Sequence, residues 1–273
     1  TLARHPDWSQ VRADFPVLTR QVHGKPLVYL DSANTSQKPQ PVIAAMDAFY
    51  REHNANVSRA VHALGSEATE AYEGARRRLA AFVNVPADEL ILTSGTTFAI
   101  NLVAYSWALP RLKAGDVILL TRMEHHANIV PWQLVCERTG ASLRVVELAP
   151  DGSLDMDDLR AKLTGEVKLL AFAHVSNVLG TVNPVAEICR LARKQGVVSL
   201  VDGSQALPHR AVDIPLLGCD FYAFTGHKML GPTGTGGLWA RRQHLREMPP
   251  FLGGGEMIKE VRFEGTVFND PPH

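Results

Sequence analysis

The chain carries no excess of charge of either sign. Lys plus Arg number 28 and Asp plus Glu number 28 in 273 residues, so the net charge is zero. Without a basic surplus, nothing points to a nucleic acid or an anionic membrane as partner. Cysteine is scarce. Cys136, Cys189 and Cys219 are the three present, at spacings that fit no metal site and odd in number. That usage predicts reduced thiols in a cytoplasmic setting rather than a disulfide framework. No apolar run approaches the roughly 20 residues that cross a bilayer, and no signal peptide is visible. Internal repeats and low-complexity linkers are also lacking. The first residue is Thr1 rather than Met, so the extreme N-terminus is expected to be trimmed or incomplete.

What is present is ample apolar material. Hydrophobic residues make up 45% of the chain, enough for a sizeable core, and the length suits one large domain or two ordinary ones. Short continuous apolar runs at Leu90–Thr93, Val117–Thr121, Leu143–Leu148, Val167–Val175, Val197–Val201, Phe221–Phe224 and Gly236–Ala240 read as strands. Amphipathic segments near 39–53, 66–83, 97–108, 129–139, 155–163 and 184–195 read as helices between them. Unbroken rather than alternating strands, interleaved with helices, predict an α/β fold: a mostly parallel seven-stranded sheet covered on both faces. Residues 1–22 read as an appended helix and turn, and the tail from Gly253 has loop composition.

Two strand ends carry the chemistry. The run Asp220-Phe-Tyr-Ala-Phe-Thr-Gly-His-Lys-Met-Leu-Gly-Pro-Thr-Gly-Thr-Gly-Gly237 is a buried strand that stops at a polar turn holding Lys228, beside Thr225 and His227. A lysine amine becomes a useful nucleophile when desolvation or nearby cations lower its pKa. The earlier run Val197-Val-Ser-Leu-Val-Asp-Gly-Ser-Gln-Ala-Leu207 places Asp202 at the end of another buried strand. A Schiff-base lysine with an acid to pair a pyridinium nitrogen is what pyridoxal phosphate (PLP) requires. Ligands of parallel sheets sit at the carboxyl ends of strands. Each piece alone also reads as a solvated lysine in a loop or an Asp-Gly turn.

Four further segments join them. Leu92-Thr-Ser-Gly-Thr-Thr-Phe-Ala-Ile-Asn101 is a strand, a glycine turn and a helix start, where Ser94, Gly95, Thr96 and Thr97 suit a phosphate or a simple N-cap. Met123-Glu-His-His-Ala-Asn-Ile-Val-Pro-Trp132 offers His125 as a flat ring over a cofactor, or two ordinary loop histidines; adjacent histidines diverge and so bind one metal poorly. Ala171-Phe-Ala-His-Val-Ser-Asn-Val-Leu-Gly-Thr-Val182 puts His174, Ser176 and Asn177 at a strand end, for a ring hydroxyl or for an Asx turn. In His53-Asn-Ala-Asn-Val-Ser-Arg-Ala-Val-His62, Arg59 or His62 could face a substrate carboxylate, or a helix simply ends.

The blocks Tyr29-Leu-Asp-Ser-Ala-Asn-Thr-Ser-Gln-Lys-Pro39, Thr93-Ser-Gly-Thr-Thr97, Glu124-His-His-Ala-Asn-Ile-Val-Pro-Trp132, Val201-Asp-Gly-Ser-Gln205 and Thr225-Gly-His-Lys-Met-Leu-Gly-Pro-Thr-Gly234 occur in order. Together they resemble the class V aminotransferase-like, fold-type I PLP enzymes, and more narrowly the SufS/CsdA-type (group II) cysteine desulfurases and selenocysteine lyases. The resemblance covers nearly the whole chain. It implies that residues 23–260 are a PLP-binding large domain, that 1–22 belong to a small domain, and that 261–273 begin a C-terminal region cut short.

The same resemblance implies individual roles. Lys228 would carry the cofactor and act as acid and base, Asp202 would keep the pyridine nitrogen protonated, and His125 would stack on the ring. Gln205 would bond the ring hydroxyl with Asn177 nearby, and Thr96, Thr97, Thr225 and His227 would hold the phosphate. Arg59 and His62 would match substrate-side positions, while Ser58 departs from the histidine usual there. Arg262-Phe-Glu-Gly-Thr266 resembles the segment through which Thr266 would reach a partner's phosphate in a homodimer, although the small residue usual between glutamate and glycine is missing. The implied reaction converts L-cysteine to L-alanine and leaves sulfur as an enzyme persulfide for iron–sulfur cluster assembly, with an acceptor protein of SufE or SufU type. The family's acceptor cysteine and carboxylate-binding arginine lie in the C-terminal part, beyond His273. A selenocysteine lyase, another class V aminotransferase and a non-catalytic PLP-fold fragment stay open as alternatives.

Overall fold

The computed structural model describes residues 7–58, 61–255 and 257–272. Helix α1 (Trp8–Ala13) precedes a small hairpin of β1 (Gln21–Val22) and β2 (Lys25–Pro26). Helices α2 (Gln40–Ala48) and α3 (Ala63–Phe82) lead into β3 (Leu90–Thr93), α4 (Thr96–Val103) and β4 (Val117–Thr121). Then follow α5 (Val130–Thr139), β5 (Ser142–Val146), α6 (Met156–Lys162), β6 (Val167–Ala173), α7 (Val185–Lys194) and β7 (Val198–Asp202). The chain closes with α8 (Ile214–Leu217), β8 (Phe221–Thr225), β9 (Gly236–Ala240), α9 (Arg242–Glu247), β10 (Ile258–Arg262) and β11 (Gly265–Phe268).

Seven strands form one sheet in the order β3-β9-β8-β7-β6-β4-β5. Strands β4 through β8 pair in parallel, while β9 runs antiparallel to both β8 and β3. The expected mostly parallel sheet is therefore observed, with one reversed strand. Side chains of β4 alternate between its faces. Val117 and Leu119 join the core beneath α3, α6 and α7, and Ile118 and Leu120 join the core beneath α4 and α5. With both faces covered, polar alternation would bury unpaired groups, so every residue of β4, β8 and β9 is buried and the runs are apolar up to a terminal threonine in β4 and β8. No helix among the described residues is long and apolar enough to cross a membrane.

Three expectations need correction. The run expected to reach Leu148 ends as a strand at Val146, because Leu148 pairs only with Leu154 in an isolated bridge. The run expected to continue to Val175 ends as a strand at Ala173, because Val175 pairs only with Val182 in an isolated bridge. The tail expected to be loop holds the antiparallel hairpin of β10 and β11, with Arg262 opposite Gly265. Its signal was present: Ile, Val and Thr flank a two-residue Phe263-Glu264 turn followed by Gly265. All but one of its residues are exposed, so no apolar periodicity marked it.

Strand β9 matters to the site because it slots between β8 and β3 with Gly236 opposite both Thr225 and Thr93. A β-carbon on Gly236 would lie 2.6 Å from Gly95 Cα and 2.6 Å from the Phe224 carbonyl oxygen. Gly95 itself sits at φ +140°, just ahead of α4. Both obstructions at Gly236 are backbone, which cannot swing aside as a side chain can. Gly236→Ala should therefore destabilise the fold by about 1–3 kcal/mol, the usual size for overpacking. Urea unfolding checks this, and an unchanged midpoint would show that the two backbones are not in contact.

Candidate active site

The carboxyl ends of the parallel strands open into a cavity of about 350 Å³. That volume suits a small cofactor. The start of α4, the turn after β4, the ends of β6 and β7, and the turn after β8 each present residues to it, and Asn34 closes one side from the strap that follows β2.

Asp202 is the last residue of β7 and is 6% exposed. Its Oδ1 accepts from the backbone N–H of Ser204 at 2.9 Å and from the Ser204 hydroxyl at 2.6 Å. Among the described residues no donor reaches Oδ2, and the residue lines the cavity. Lys228 ends a 3-10 turn, Gly226–Lys228, that follows β8 directly. Burial lowers its pKa from the ordinary 10.5, and the charge of Asp202 partly opposes that shift. The peptide before it is clamped. The His227 carbonyl accepts from Ser36 N–H at 3.0 Å, Ser36 Oγ at 3.0 Å, Lys38 Nζ at 2.8 Å and Thr35 Oγ1 at 3.2 Å.

His125 projects at the rim, where its Nδ1 accepts from the Ala127 N–H at 3.1 Å. That bond leaves the proton of the neutral ring on Nε2. Burial first, and Lys228 second, lower its pKa and favour the neutral form. The pKa of His227 is lowered too, by burial and then by Lys228 and Lys38, and its Nδ1 lies 3.1 Å from Thr35 Oγ1. Gln205 donates through Nε2 to the Ala33 carbonyl at 2.7 Å, which ties the floor to the strap. Asn177, Thr97 and Thr225 line the same cavity, and Thr225 Oγ1 donates to the Thr235 carbonyl at 3.4 Å. The hydroxyl of Thr96 meets Ser204 Oγ at 2.7 Å, so what Thr96 offers an incoming anion is its backbone N–H. The first amides of α4 have no carbonyl within the helix and point outward, a ready anion site.

The structure thus brings Thr96, Thr97, His125, Asn177, Asp202, Gln205, Thr225, His227 and Lys228 together in one cavity. Two other candidates stand apart, and a third cannot be placed among the described residues. His62 caps α3, accepting from the Gly65 N–H at 3.2 Å, and is not among the cavity residues. Thr266 lies on the exposed strand β11. Arg59 falls outside the described residues. Neighbouring Ser58 adopts φ +61°, with its N–H donating to Thr69 Oγ1 at 2.9 Å.

Sequence reasoning missed Ser204, the clamp formed by Thr35, Ser36 and Lys38, and above all Glu124. The Glu124 carboxylate accepts from Thr121 Oγ1, from the Ala173 N–H at 3.0 Å and from Asn128 Nδ2 at 2.6 Å, while Asn128 Oδ1 accepts from Trp132 Nε1 at 2.9 Å. It pins the His125 turn to the end of β6, next to Asp202 on β7. The motif holding Glu124 was visible, but an acid beside two histidines gave no sign of being buried.

Residues 28–273 match the family model described as aminotransferase class-V. A "probable cysteine desulfurase" of Xylella fastidiosa (strain 9a5c) is 69% identical over 268 residues, covering 98% of this chain and 64% of that protein. The apo structure of a cysteine desulfurase from Thermococcus onnurineus NA1 superposes with a TM-score of 0.92 at 36% identity, covering 99% of this chain and 66% of that one. The cysteine desulfurase CsdA from Escherichia coli gives 0.88 at 39%, covering 98% and 66%. The chain therefore spans slightly less than two thirds of the length of these relatives.

Burial pushes the Glu124 carboxyl from 4.5 up to about 7, against the three hydrogen bonds that lower it. A raised folded-state pKa makes this group's contribution to stability full below about 4.5 and lost as pH rises through about 7. Thermal unfolding of the wild type should lose stability relative to Glu124→Gln across that window. At pH 5 the variant should itself be about 1–3 kcal/mol less stable, because its amide faces the Asn128 donor. Parallel pH curves for the two proteins would refute the placement of Glu124.

Proposed function

Because the chain belongs to the class-V aminotransferase family, a family of PLP enzymes, we propose that it is the PLP-binding part of a cysteine desulfurase, converting L-cysteine to L-alanine. The observation that carries this reading is the meeting of three features in one cavity: Lys228 with a lowered pKa, Asp202 with Oδ2 uncommitted, and the open amides of α4. These match what PLP presents, namely an aldehyde, a basic ring nitrogen and a phosphate. The desulfurases among its relatives favour this reaction over other chemistries of the family.

When bound, PLP supplies an electron sink that stabilises negative charge on the carbon beside the substrate amine. The rest falls to the protein. Lys228 Nζ would hold the aldehyde and, as an amine of lowered pKa, would serve as base and acid for the proton on that carbon. Asp202 Oδ2 keeps a proton on the ring nitrogen, and Ser204 keeps Oδ1 occupied. His125, with Nδ1 engaged by Ala127 N–H, lines the cavity where it would cover the ring and could donate its Nε2 proton. Gln205 and Asn177 orient the ring hydroxyl, while the α4 amides with Thr97, Thr225 and His227 hold the phosphate. His62 and Arg59 are assigned to the substrate side, and Thr266 to a partner's phosphate in a homodimer.

Sulfur must leave to a thiol. Attack by an acceptor thiolate on the substrate sulfur breaks its bond to carbon, forms a sulfur–sulfur bond, and returns the electron pair to the carbon that becomes the alanine methyl group. None of the three cysteines lines the cavity. Burial raises the pKa of Cys136, pushes Cys189 up to about 12 and raises Cys219 well above the ordinary thiol value, which keeps all three in the inert thiol form. The accepting thiol is therefore assigned to a C-terminal small domain of the whole protein, of which residues 1–22 and 261–273 are taken to be parts. From there sulfur would pass to an acceptor of SufE or SufU type for iron–sulfur cluster assembly.

Incubation with PLP, borohydride reduction and peptide mass mapping should place a reduced pyridoxyl adduct on Lys228. Lys228→Ala should abolish it. An adduct on another lysine, or none on folded protein, would overturn this reading.

A further inference from the structure

Ser204 lies between the two ends of the cavity, in contact with both. It is buried, it lines the cavity, and its N–H and hydroxyl both donate to Asp202 Oδ1. A serine hydroxyl has one proton, and a carboxylate can only accept. With that proton on Asp202, the 2.7 Å contact between Ser204 Oγ and Thr96 Oγ1 has one remaining direction, in which Thr96 donates. A single directed chain results, from Thr96 Oγ1 to Ser204 Oγ to Asp202 Oδ1. Thr96 is the first residue of α4, the helix whose open amides face the anion position.

Resting on the PLP reading above, we infer that Ser204 is a positioning residue that couples the anion cradle of α4 to Asp202, so that the phosphate grip and the ring-nitrogen partner hold their spacing as one unit. The torsion that turns a carboxylate is broad and nearly two-fold, so Asp202 alone would swing either oxygen toward the ring. Two donors from one residue hold Oδ1 back and leave Oδ2 aimed into the cavity. Thr96 in turn stops the Ser204 hydroxyl from rotating away. Because the links act in series, breaking either one releases the same restraint.

The test is PLP affinity, followed through the absorption band of the bound cofactor, in wild type, Ser204→Ala, Thr96→Val, the double variant and Thr96→Ser. Ser204→Ala should weaken binding about tenfold, as loss of one hydrogen bond to a charged group would. It should also shift the absorption band, which reports the ring nitrogen and which a merely structural role would leave alone. Thr96→Val should weaken binding in the same sense, and the double variant no more than Ser204→Ala. Thr96→Ser, which keeps the hydroxyl, should match wild type. Thr96→Val probes the chain from its far end and keeps the test decisive if Ser204→Ala folds poorly. Single losses that add in the double variant, or a Ser204→Ala protein with wild-type affinity and band, would overturn the coupling. Wild-type protein that takes up no PLP would instead overturn the cofactor reading, and this inference with it.

Discussion

One carbonyl oxygen fastens the two sides of the site together. The His227 carbonyl gathers donors from Thr35, Ser36 and Lys38, about 190 residues earlier in the chain. Its peptide leads straight into Lys228, so the backbone that carries the reactive amine cannot rotate without breaking several bonds at once. Ser36 Oγ also accepts from the Leu230 N–H at 2.9 Å, which closes the clamp from the far side of the turn. Through Ala33 the same strap holds Gln205. Lys38 makes this possible by an unusual choice of partners: its ammonium group is met by carbonyl and hydroxyl oxygens rather than by a carboxylate, and burial lowers its pKa. A carboxylate there would have added a third acid near Asp202 and Glu124.

The electrostatics of the cavity follow from that economy. His125, His227 and Lys228 all have pKa values lowered first by burial, so the cavity disfavours charge on the side chains best placed to be cations. An anion arriving at α4 is received by oriented backbone amides, whose dipoles need no counter-charge and cannot titrate. The acidic side is equally constrained. Glu124 lies behind the cavity wall with every oxygen engaged, and Asp202 alone offers a free carboxylate oxygen inward. Separating an acid that holds a loop behind the wall from an acid that lines the cavity and meets a ligand lets two carboxylates share one end of the sheet.

Much of this was legible in the residues and some was not, for a physical reason. Strands β4, β6, β7 and β8 announced themselves because a sheet covered on both faces selects mainly apolar residues, with Lys168 and Ser199 the polar exceptions inside β6 and β7. Asp202 and Lys228 stood out because a polar residue directly after such a run must lie at the rim. Ser204, Lys38 and Glu124 were opaque. Their roles arise from partners such as Thr96, His227 and Ala173, which are brought close by the fold and have no fixed offset along the chain. The hairpin of β10 and β11 escaped notice because its strands bury nothing, so the period-two signal never formed. Thr96 was expected as a phosphate ligand from its place in a polar turn, yet the direction of its hydroxyl depends on Ser204, more than a hundred positions away.

The contact between Gly236 and Gly95 has a consequence for how the molecule responds to heat. Most walls of a binding site are made of side chains, which sample more rotamers as temperature rises and let the site slacken. Here the spacing between the strand that precedes the anion cradle and its neighbour is set by two backbones touching, with no rotatable group between them. Such a joint has no softer state to visit short of separating the strands. The grip on an anion should therefore keep its dimensions up to the temperature at which β9 leaves the sheet, and then fail together with the fold rather than ahead of it.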